Sequence, residues 1–323
     1  MMEMNNKAID LFAGCGGLSL GLQNAGFSVT AAVDNWEPAI AVYKENFNHN
    51  IYSLNLSDVD ATCKLLKRHD VDLIVGGPPC QDFSQAGKRN ENLGRGNLTI
   101  SFAEIVSQLR PKFFIMENVD QLTKTKKFLA AYEILKRAGY GITIRLICAS
   151  SCGVPQRRKR YFVVGELGGM DDFLGEYLDR GLSPNPVTVR EYFGIQLDTD
   201  YYYRHPWSYQ RRAIYSIDEP SPTIRGVNRP IPAGYPGHHL DATHDLSLVR
   251  PLTTTERAMI QTFPSDFKWV GNKTQIEQMI GNAVPVKLAE YVANCLSMYI
   301  SNMRDGINPI FLARQSQQLL LPV

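Results

Sequence analysis

The chain has no apolar run approaching the ~18 residues that a membrane span needs. Residues 1–7, Met-Met-Glu-Met-Asn-Asn-Lys, contain no apolar signal core, so no export is expected. There are six cysteines, at 15, 63, 80, 148, 152 and 295, but no CxxC pair. That spacing suggests neither a zinc site nor a disulfide framework, and a reducing cytosol follows as the expected compartment. Neither charge is in marked excess: the formal net charge is +2 over 323 residues, which neither demands nor excludes a nucleic acid. Internal repeats and low-complexity tracts are missing too. So is GxGxxG, the glycine spacing of dinucleotide sites. With 44% apolar and 20% charged residues, what is left is an ordinary globular chain of one large domain or two smaller ones.

The stretch that carries most chemistry is 73–84, Leu-Ile-Val-Gly-Gly-Pro-Pro-Cys-Gln-Asp-Phe-Ser. Its apolar start reads as a buried strand. Two glycines turn the chain and two prolines stiffen it, which holds Cys80 at the carboxyl end of a strand, where open α/β sheets place ligands. A thiol there is a candidate nucleophile; the plainer reading is a small apolar cysteine packed under a loop.

Upstream, residues 7–12 read as a strand, 13–17 (Ala-Gly-Cys-Gly-Gly) as a glycine turn, and 18–25 as a helix. Strand, glycine turn, helix cradles a nucleotide-like ligand on backbone N–H groups. A second strand, 27–33, ends at Asp34-Asn35-Trp36. Asp34 is placed to accept from ribose hydroxyls, or to cap the helix that follows. Trp36 offers adenine an aromatic surface, or simply packs. A short third strand ends at Asn55, whose amide suits a base amine or a turn. Residues 82–97 are polar, glycine-rich and basic, reading as a lid or as a solvated loop. A helix over 98–109 stops at Pro111, and a fifth strand, 113–116, ends in Glu117-Asn118-Val119. Glu117 faces the cleft of Cys80 or pairs at a sheet edge. The run 156–165 reads as a basic segment feeding a strand, with Arg158 and Arg160 on one face, suited to an anion or a base carbonyl. Beyond 166 the pattern changes to short strands and loops rich in Pro, Gly, Tyr and His. Residues 278–285 read as a turn into a last helix, whose apolar stripe needs the first domain's sheet.

Five ordered motifs, 10–17, 77–84, 117–119, 156–160 and 281–285, together resemble the DNA (cytosine-5)-methyltransferases of the bacterial modification type. The resemblance covers 8–165 and 250–300. It implies an α/β fold, a Rossmann-like S-adenosylmethionine-dependent methyltransferase sheet with a small, mostly irregular/β target-recognition domain. The expected division is a catalytic domain over 1–166, completed by 275–305, a target-recognition domain over 167–274, and a tail over 306–323.

The resemblance also implies roles. Cys80 is the nucleophile, Glu117 protonates or hydrogen-bonds cytosine N3, Arg158 orients Glu117 or Cys80, and Arg160 contacts cytosine O2. S-adenosyl-L-methionine, without a metal, falls to Phe12, Gly14, Gly16, Gly17, Leu18, Asp34, Asn35, Trp36, Asn55, Leu56, Pro79, Leu98, Asn282 and Ala283. Asn55 stands where the family has Asp. Candidate contacts to double-stranded DNA are Ser84, Lys88, Arg89, Arg95, Arg204, Thr223, Arg225 and Arg229. The expected partners are duplex DNA and a separately acting restriction endonuclease, with the chain a monomer. Rival readings are an RNA cytosine methyltransferase on the same scaffold, a non-catalytic DNA-binding relative, and an NAD-type oxidoreductase. The missing GxGxxG disfavours the last.

Overall fold

The computed structural model describes residues 6–79, 98–119, 125–208 and 210–305. Cys80, Ser84, Lys88, Arg89 and Arg95, like the tail, lie outside these residues.

Seven strands form the central sheet: β1 (Lys7–Leu11), β2 (Ser28–Asp34), β3 (Asn50–Ser53), β4 (Leu73–Gly76), β5 (Phe113–Val119), β6 (Tyr140–Cys148) and β8 (Lys159–Leu167), in the order β3-β2-β1-β4-β5-β8-β6. The pairings from β3 through β5 are all parallel, while β8 runs antiparallel to β5 and β6 on either side. The order reverses between β1 and β4. That is the switch point where such sheets open a crevice at their carboxyl ends.

The strands are short apolar runs because both faces are covered. On one face Ala8, Val29, Leu73, Val75, Phe113, Ile115, Phe162 and Val164 pack under α1 (Gly17–Asn24), α6 (Gly175–Arg180) and α10 (Val286–Arg304). On the other, Ile9, Leu11, Val33, Ile74, Phe114 and Met116 meet α3 (Val59–Leu66), α4 (Leu98–Leu109) and α5 (Lys126–Arg137). A third cluster joins α2 (Glu37–Asn46) to α7 (Val189–Phe193), α8 (Thr254–Ile260) and α9 (Lys273–Asn282). The remaining region holds a three-stranded sheet of β10 (Ile214–Ser216), β9 (Tyr201–Tyr203) and β12 (Val249–Pro251), and a two-stranded ladder of β11 (Ser221–Pro222) with β7 (Gln156–Arg157). No helix among the described residues is long and apolar enough to cross a membrane.

The structure differs from the sequence reading in four places. Glu117 to Val119 lie inside β5 rather than past its end, because β8 pairs with β5 as far as Val119↔Arg160. The strand expected over 156–165 is broken at Arg158, since β7 leaves to pair with β11. Residues 273–282 are helical up to the start of the expected turn's last residues: Asn272 and Gln275 form a capping box, and Met279 and Ile280 are buried. Finally, the α/β body does not stop at 166, since Leu174 and Leu178 of the α6 region enter the same core as α10.

Candidate active site

The chain leaves β1 at Phe12 with φ +59°. A non-glycine residue in the left-handed region costs about 1–3 kcal/mol, and such strain gathers at ligand sites. The turn is tied to β2 by Ala13 N–H donating to the Val33 carbonyl (3.1 Å) and Gly14 N–H to Asp34 Oδ2 (2.8 Å). Gly14 is left-handed, and a Cβ placed on it would meet nothing within 4 Å, so the turn faces open space. The other two glycines answer to the protein. A Cβ on Gly16 would lie 2.3 Å from the Phe47 ring, and one on Gly17 2.3 Å from the Val284 carbonyl oxygen.

Asp34 Oδ1 accepts from the N–H groups of Asn35 and Trp36, each at 2.8 Å. With Gly14 this uses three of a carboxylate's roughly four acceptor sites. Its place as an N-cap is taken by Trp36, which precedes α2. Trp36 is half-buried and lines a cleft with Asn272 to Gln275 and Gln278. Asn55 is exposed, and its Oδ1 already accepts from Ser57 N–H (3.1 Å). Leu18 and Leu56 are buried; Pro79 is exposed and Leu98 half-buried at the start of α4. Exposed Asn282 accepts from Gln278 (3.0 Å). The N–H groups named here are already taken by protein acceptors, and the carboxylate of Asp34 beside the turn disfavours a phosphate there.

Beneath the turn lies a chain that sequence spacing did not reveal. Fully buried Asp10 accepts from Ser19 (2.6 Å), Ser19 bonds Tyr43 (2.6 Å), and Tyr43 bonds His49 (2.6 Å). Burial pushes the Asp10 carboxyl up to about 7, with nearby Asp34 adding to it.

At the other side of the switch point, Glu117 and Arg160 share one face of the sheet, because Glu117 is opposite Phe162 and Val119 opposite Arg160. Arg160 Nε lies 2.8 Å from Glu117 Oε1, a close ion pair that lacks the alignment of a hydrogen bond. Burial raises the Glu117 carboxyl above its ordinary range, and Arg160 and Arg158 only partly offset this. A Cβ on Gly77 would stand 3.2 Å from Glu117 Oε2, and Asn118 Nδ2 donates to the Pro78 carbonyl (2.8 Å). The strand end that runs into Cys80 is therefore braced against Glu117 and Asn118.

Arg158 does not pair with Glu117. Its guanidinium donates to the carbonyls of Ile224 (3.2 Å), Gly281 (3.2 Å) and Ala283 (3.0 Å). Those bonds clamp two separate segments, at 224 and at 281–283, so orientation of the carboxylate falls to Arg160.

A family model described as C-5 cytosine-specific DNA methylase matches residues 6–297. The chain belongs to this family. Among its relatives, the type II methyltransferase M.HgiDI of Herpetosiphon aurantiacus is 57% identical over 92% of this chain and 96% of its own. M.HindV of Haemophilus influenzae is 54% identical over 90% of this chain and 96% of its own. In fold, the chain is similar to a prophage-encoded DNA modification methyltransferase of E. coli, with a TM-score of 0.69, 24% identity, and coverage of 91% and 99% of the two chains. It is also similar to Spodoptera frugiperda DNMT2, with a TM-score of 0.66, 20% identity, and coverage of 91% and 99%.

As a C-5 cytosine-specific DNA methylase, the chain is an S-adenosylmethionine-dependent DNA methyltransferase. Arg160 also lines an open cleft with Arg157, Lys159 and Thr223. Thr223 donates its hydroxyl to the Arg157 carbonyl (2.9 Å), and its own carbonyl accepts from Arg204 (2.9 Å). Arg225 donates to the His205 carbonyl. Arg229 is exposed. Arg157 and Lys159, which sequence reasoning passed over, are exposed cations of this cleft, and alternation along the strand hid them behind Arg158 and Arg160. A buried amide pair, Gln156 with Gln261 (2.7 Å), also escaped it, as did the buried ion pair Arg257–Glu277 (2.8 Å). Their partners lie 105 and 20 positions apart in the chain.

Proposed function

We propose that this enzyme transfers a methyl group from S-adenosylmethionine to C5 of a cytosine turned out of duplex DNA at a short specific sequence, as the modification half of a restriction–modification system. The observation that carries this reading is Glu117: a buried carboxyl that keeps its proton more readily than usual, oriented by Arg160 and set against the Gly-Pro-Pro segment leading to Cys80.

Cytosine C5 is a weak nucleophile. The Cys80 thiolate adds to C6, forming an S–C6 bond, while the ring electrons move toward N3 and O2. A proton held by Glu117 at N3 stabilises that charge. Arg160, besides orienting Glu117, is positioned for O2. The bound cofactor supplies an electrophilic methyl. The C5–methyl bond would form as the sulfonium–methyl bond breaks, leaving S-adenosylhomocysteine; the C5 proton would then pass to water, its C–H electrons would restore the C5–C6 double bond and expel the Cys80 thiolate, and N3 would return its proton to Glu117. C6 is unreachable in a stacked duplex, so the base has to be extruded. Phe12, Gly14, Asp34, Trp36, Asn55, Asn282 and Ala283 are the residues proposed to hold the cofactor. Asn55 Nδ2, being a donor, suits a ring nitrogen of adenine better than its amine. Loop residues Ser84, Lys88, Arg89 and Arg95 are proposed to close on the DNA. We take the enzyme as a cytoplasmic monomer with a separately acting endonuclease as its companion.

The test is expression in a host lacking cytosine methylation, beside Cys80→Ala, with 5-methylcytosine mapped across the host DNA. Methylation confined to one short sequence and absent with Cys80→Ala supports the reaction and its nucleophile. A folded wild type that binds S-adenosylhomocysteine yet leaves DNA unmethylated, while methylating transfer RNA, sinks the DNA reading.

A further inference from the structure

We propose that Trp207 and Arg225 form a reader of one guanine edge, the indole fixing the plane of the guanidinium and the guanidinium donating to O6 and N7 in the major groove. The proposal rests on the DNA reading above and names the residues that would set its specificity.

Arg225 Cζ stands 4.4 Å from the centroid of the Trp207 ring. That ring is 54% exposed, so the pair is open to a ligand from solvent. Nη2 of Arg225 is held by the His205 carbonyl, while Nε and Nη1 have no hydrogen-bond partner among the described residues. The charge is unneutralised as well. In the same region Arg190 pairs with Asp200 and Asp218, Arg212 with Glu219 and Arg250 with Glu256. Among the described residues no carboxylate pairs with Arg204, Arg211, Arg225 or Arg229. Burial first, and then the charge of Arg204, draws the Arg225 guanidinium down to about 10. An acceptor-rich ligand would relieve both.

The position is also registered to the reacting centre. The backbone carbonyls of Arg225 and Val227 accept from buried Arg257, the Ile224 carbonyl accepts from Arg158, and Thr223 lines the cleft of Arg160. A phosphate accepts from a cation at almost any angle. A fixed plane matters when the ligand is itself planar and offers two acceptors side by side. In the major groove guanine is the base that does so.

The test uses duplexes carrying the mapped sequence, with 7-deazaguanine or inosine at each guanine in turn. For wild type, 7-deazaguanine at one position, which removes N7 and keeps O6, lowers kcat/KM by about 3- to 10-fold, roughly half of what a bidentate base contact is worth. Inosine there, which keeps O6 and N7, does not. Arg225→Ala loses at least that factor on the natural duplex and is then indifferent to 7-deazaguanine at that position. Arg225→Met, which keeps the apolar stem over the indole but has no donor, shows the same indifference should the alanine variant not fold. Trp207→Ala relaxes discrimination at that position alone, and Trp207→Phe restores it, which a general loss of packing would not reproduce. The proposal is overturned if Arg225→Ala remains as sensitive to 7-deazaguanine as wild type at every guanine. It is equally overturned if Arg225→Ala weakens specific and random duplexes alike, with a salt slope smaller by about one, the mark of a phosphate contact. Wild type that methylates no DNA fails both readings. Wild type that methylates, with a scan blind to Arg225, fails this one alone.

Discussion

Asp10 is a costly side chain to bury, and its cost depends on pH. Its carboxyl is fully buried, Oδ1 has no hydrogen-bond partner, and burial raises it from 3.8 to about 7. A carboxyl raised on folding is charged first in the unfolded chain. Its contribution to stability is therefore complete below about 4 and is lost as pH rises to about 7, beyond which it is flat. At about 1.4 kcal/mol per pH unit the span is on the order of 4 kcal/mol. Stability measured by urea unfolding should fall between pH 5 and pH 7.5 in wild type, and this component should vanish in Asp10→Asn, whose carbonyl still accepts from Ser19. An unchanged pH profile in Asp10→Asn would mean that the carboxyl is charged in the folded protein.

Glu117 is raised in the same direction and for the same first cause, and its proton is the one proposed to serve cytosine N3. Glu117→Gln should lower the methyl-transfer rate by about 10²–10⁴-fold, the usual worth of a general acid, and leave S-adenosylhomocysteine affinity within about twofold by calorimetry. A change confined to cofactor affinity would remove Glu117 from the chemistry. At this scale the sequence was informative about position: Asp34 closes β2 and Glu117 lies in the last residues of β5, both at the carboxyl side of the sheet. It was silent on Asp10, because a buried carboxyl whose one hydrogen-bond partner is Ser19 gives no periodic signal. Arg158 and Arg160 could not be separated either, since only the break after β7 sends one to backbone carbonyls and the other to Glu117.

Elements follow from simpler rules, and most were legible. Strands buried on both faces are short apolar runs, and helices α1, α4, α5 and α10 show their stripes plainly. The place of β8 was not readable, because insertion between β5 and β6 depends on long-range pairing. The contact between α1 and α10 was hidden for the opposite reason: glycine leaves no pattern. A Cβ on Gly21 would stand 2.5 Å from Ala289 Cβ and 2.7 Å from the Val286 carbonyl oxygen. Overpacking of that kind costs about 1–3 kcal/mol, more than the roughly 0.5–1 kcal/mol that alanine gains over glycine in a helix. Gly21→Ala should therefore lower the urea midpoint, and it should weaken cofactor binding as well, because α1 carries the glycine turn at its start. A raised midpoint would mean that the two helices separate without penalty.

At the scale of the whole molecule, the region of the small three-stranded sheet is joined to the body of the seven-stranded sheet by buried polar groups as much as by the third apolar cluster. Gln156 accepts from Ile224 N–H (2.9 Å) and donates to Gln261, which in turn donates to the Ile280 and Ala283 carbonyls. Arg257 holds the carbonyls at 225 and 227 while paired with Glu277, and Glu277 Oε1 accepts from Asn228 (2.9 Å) and Thr254 (2.8 Å). Arg257 Nε and Glu277 Oε2 meet only as a close ion pair, the other groups named are hydrogen-bonded, and a network of that kind specifies one arrangement because a less satisfied alternative is expensive. Removing one partner of a buried ion pair typically costs about 3–5 kcal/mol, a large share of the roughly 5–15 kcal/mol that holds a domain together. Glu277→Ala leaves Arg257 charged and buried with its carboxylate gone, and Asn228 and Thr254 without their acceptor. The segment 223–228, which carries both Thr223 of the cleft and Arg225, then loses its fixed place relative to Glu117 and Arg160. The expected outcome is a single urea transition in wild type that splits in two, with limited proteolysis appearing between 200 and 250 and methylation spreading to sequences the wild type ignores. If Glu277→Ala still unfolds in one step and keeps its sequence preference, the apolar cluster alone aligns the two regions, and the polar network adds stability without register.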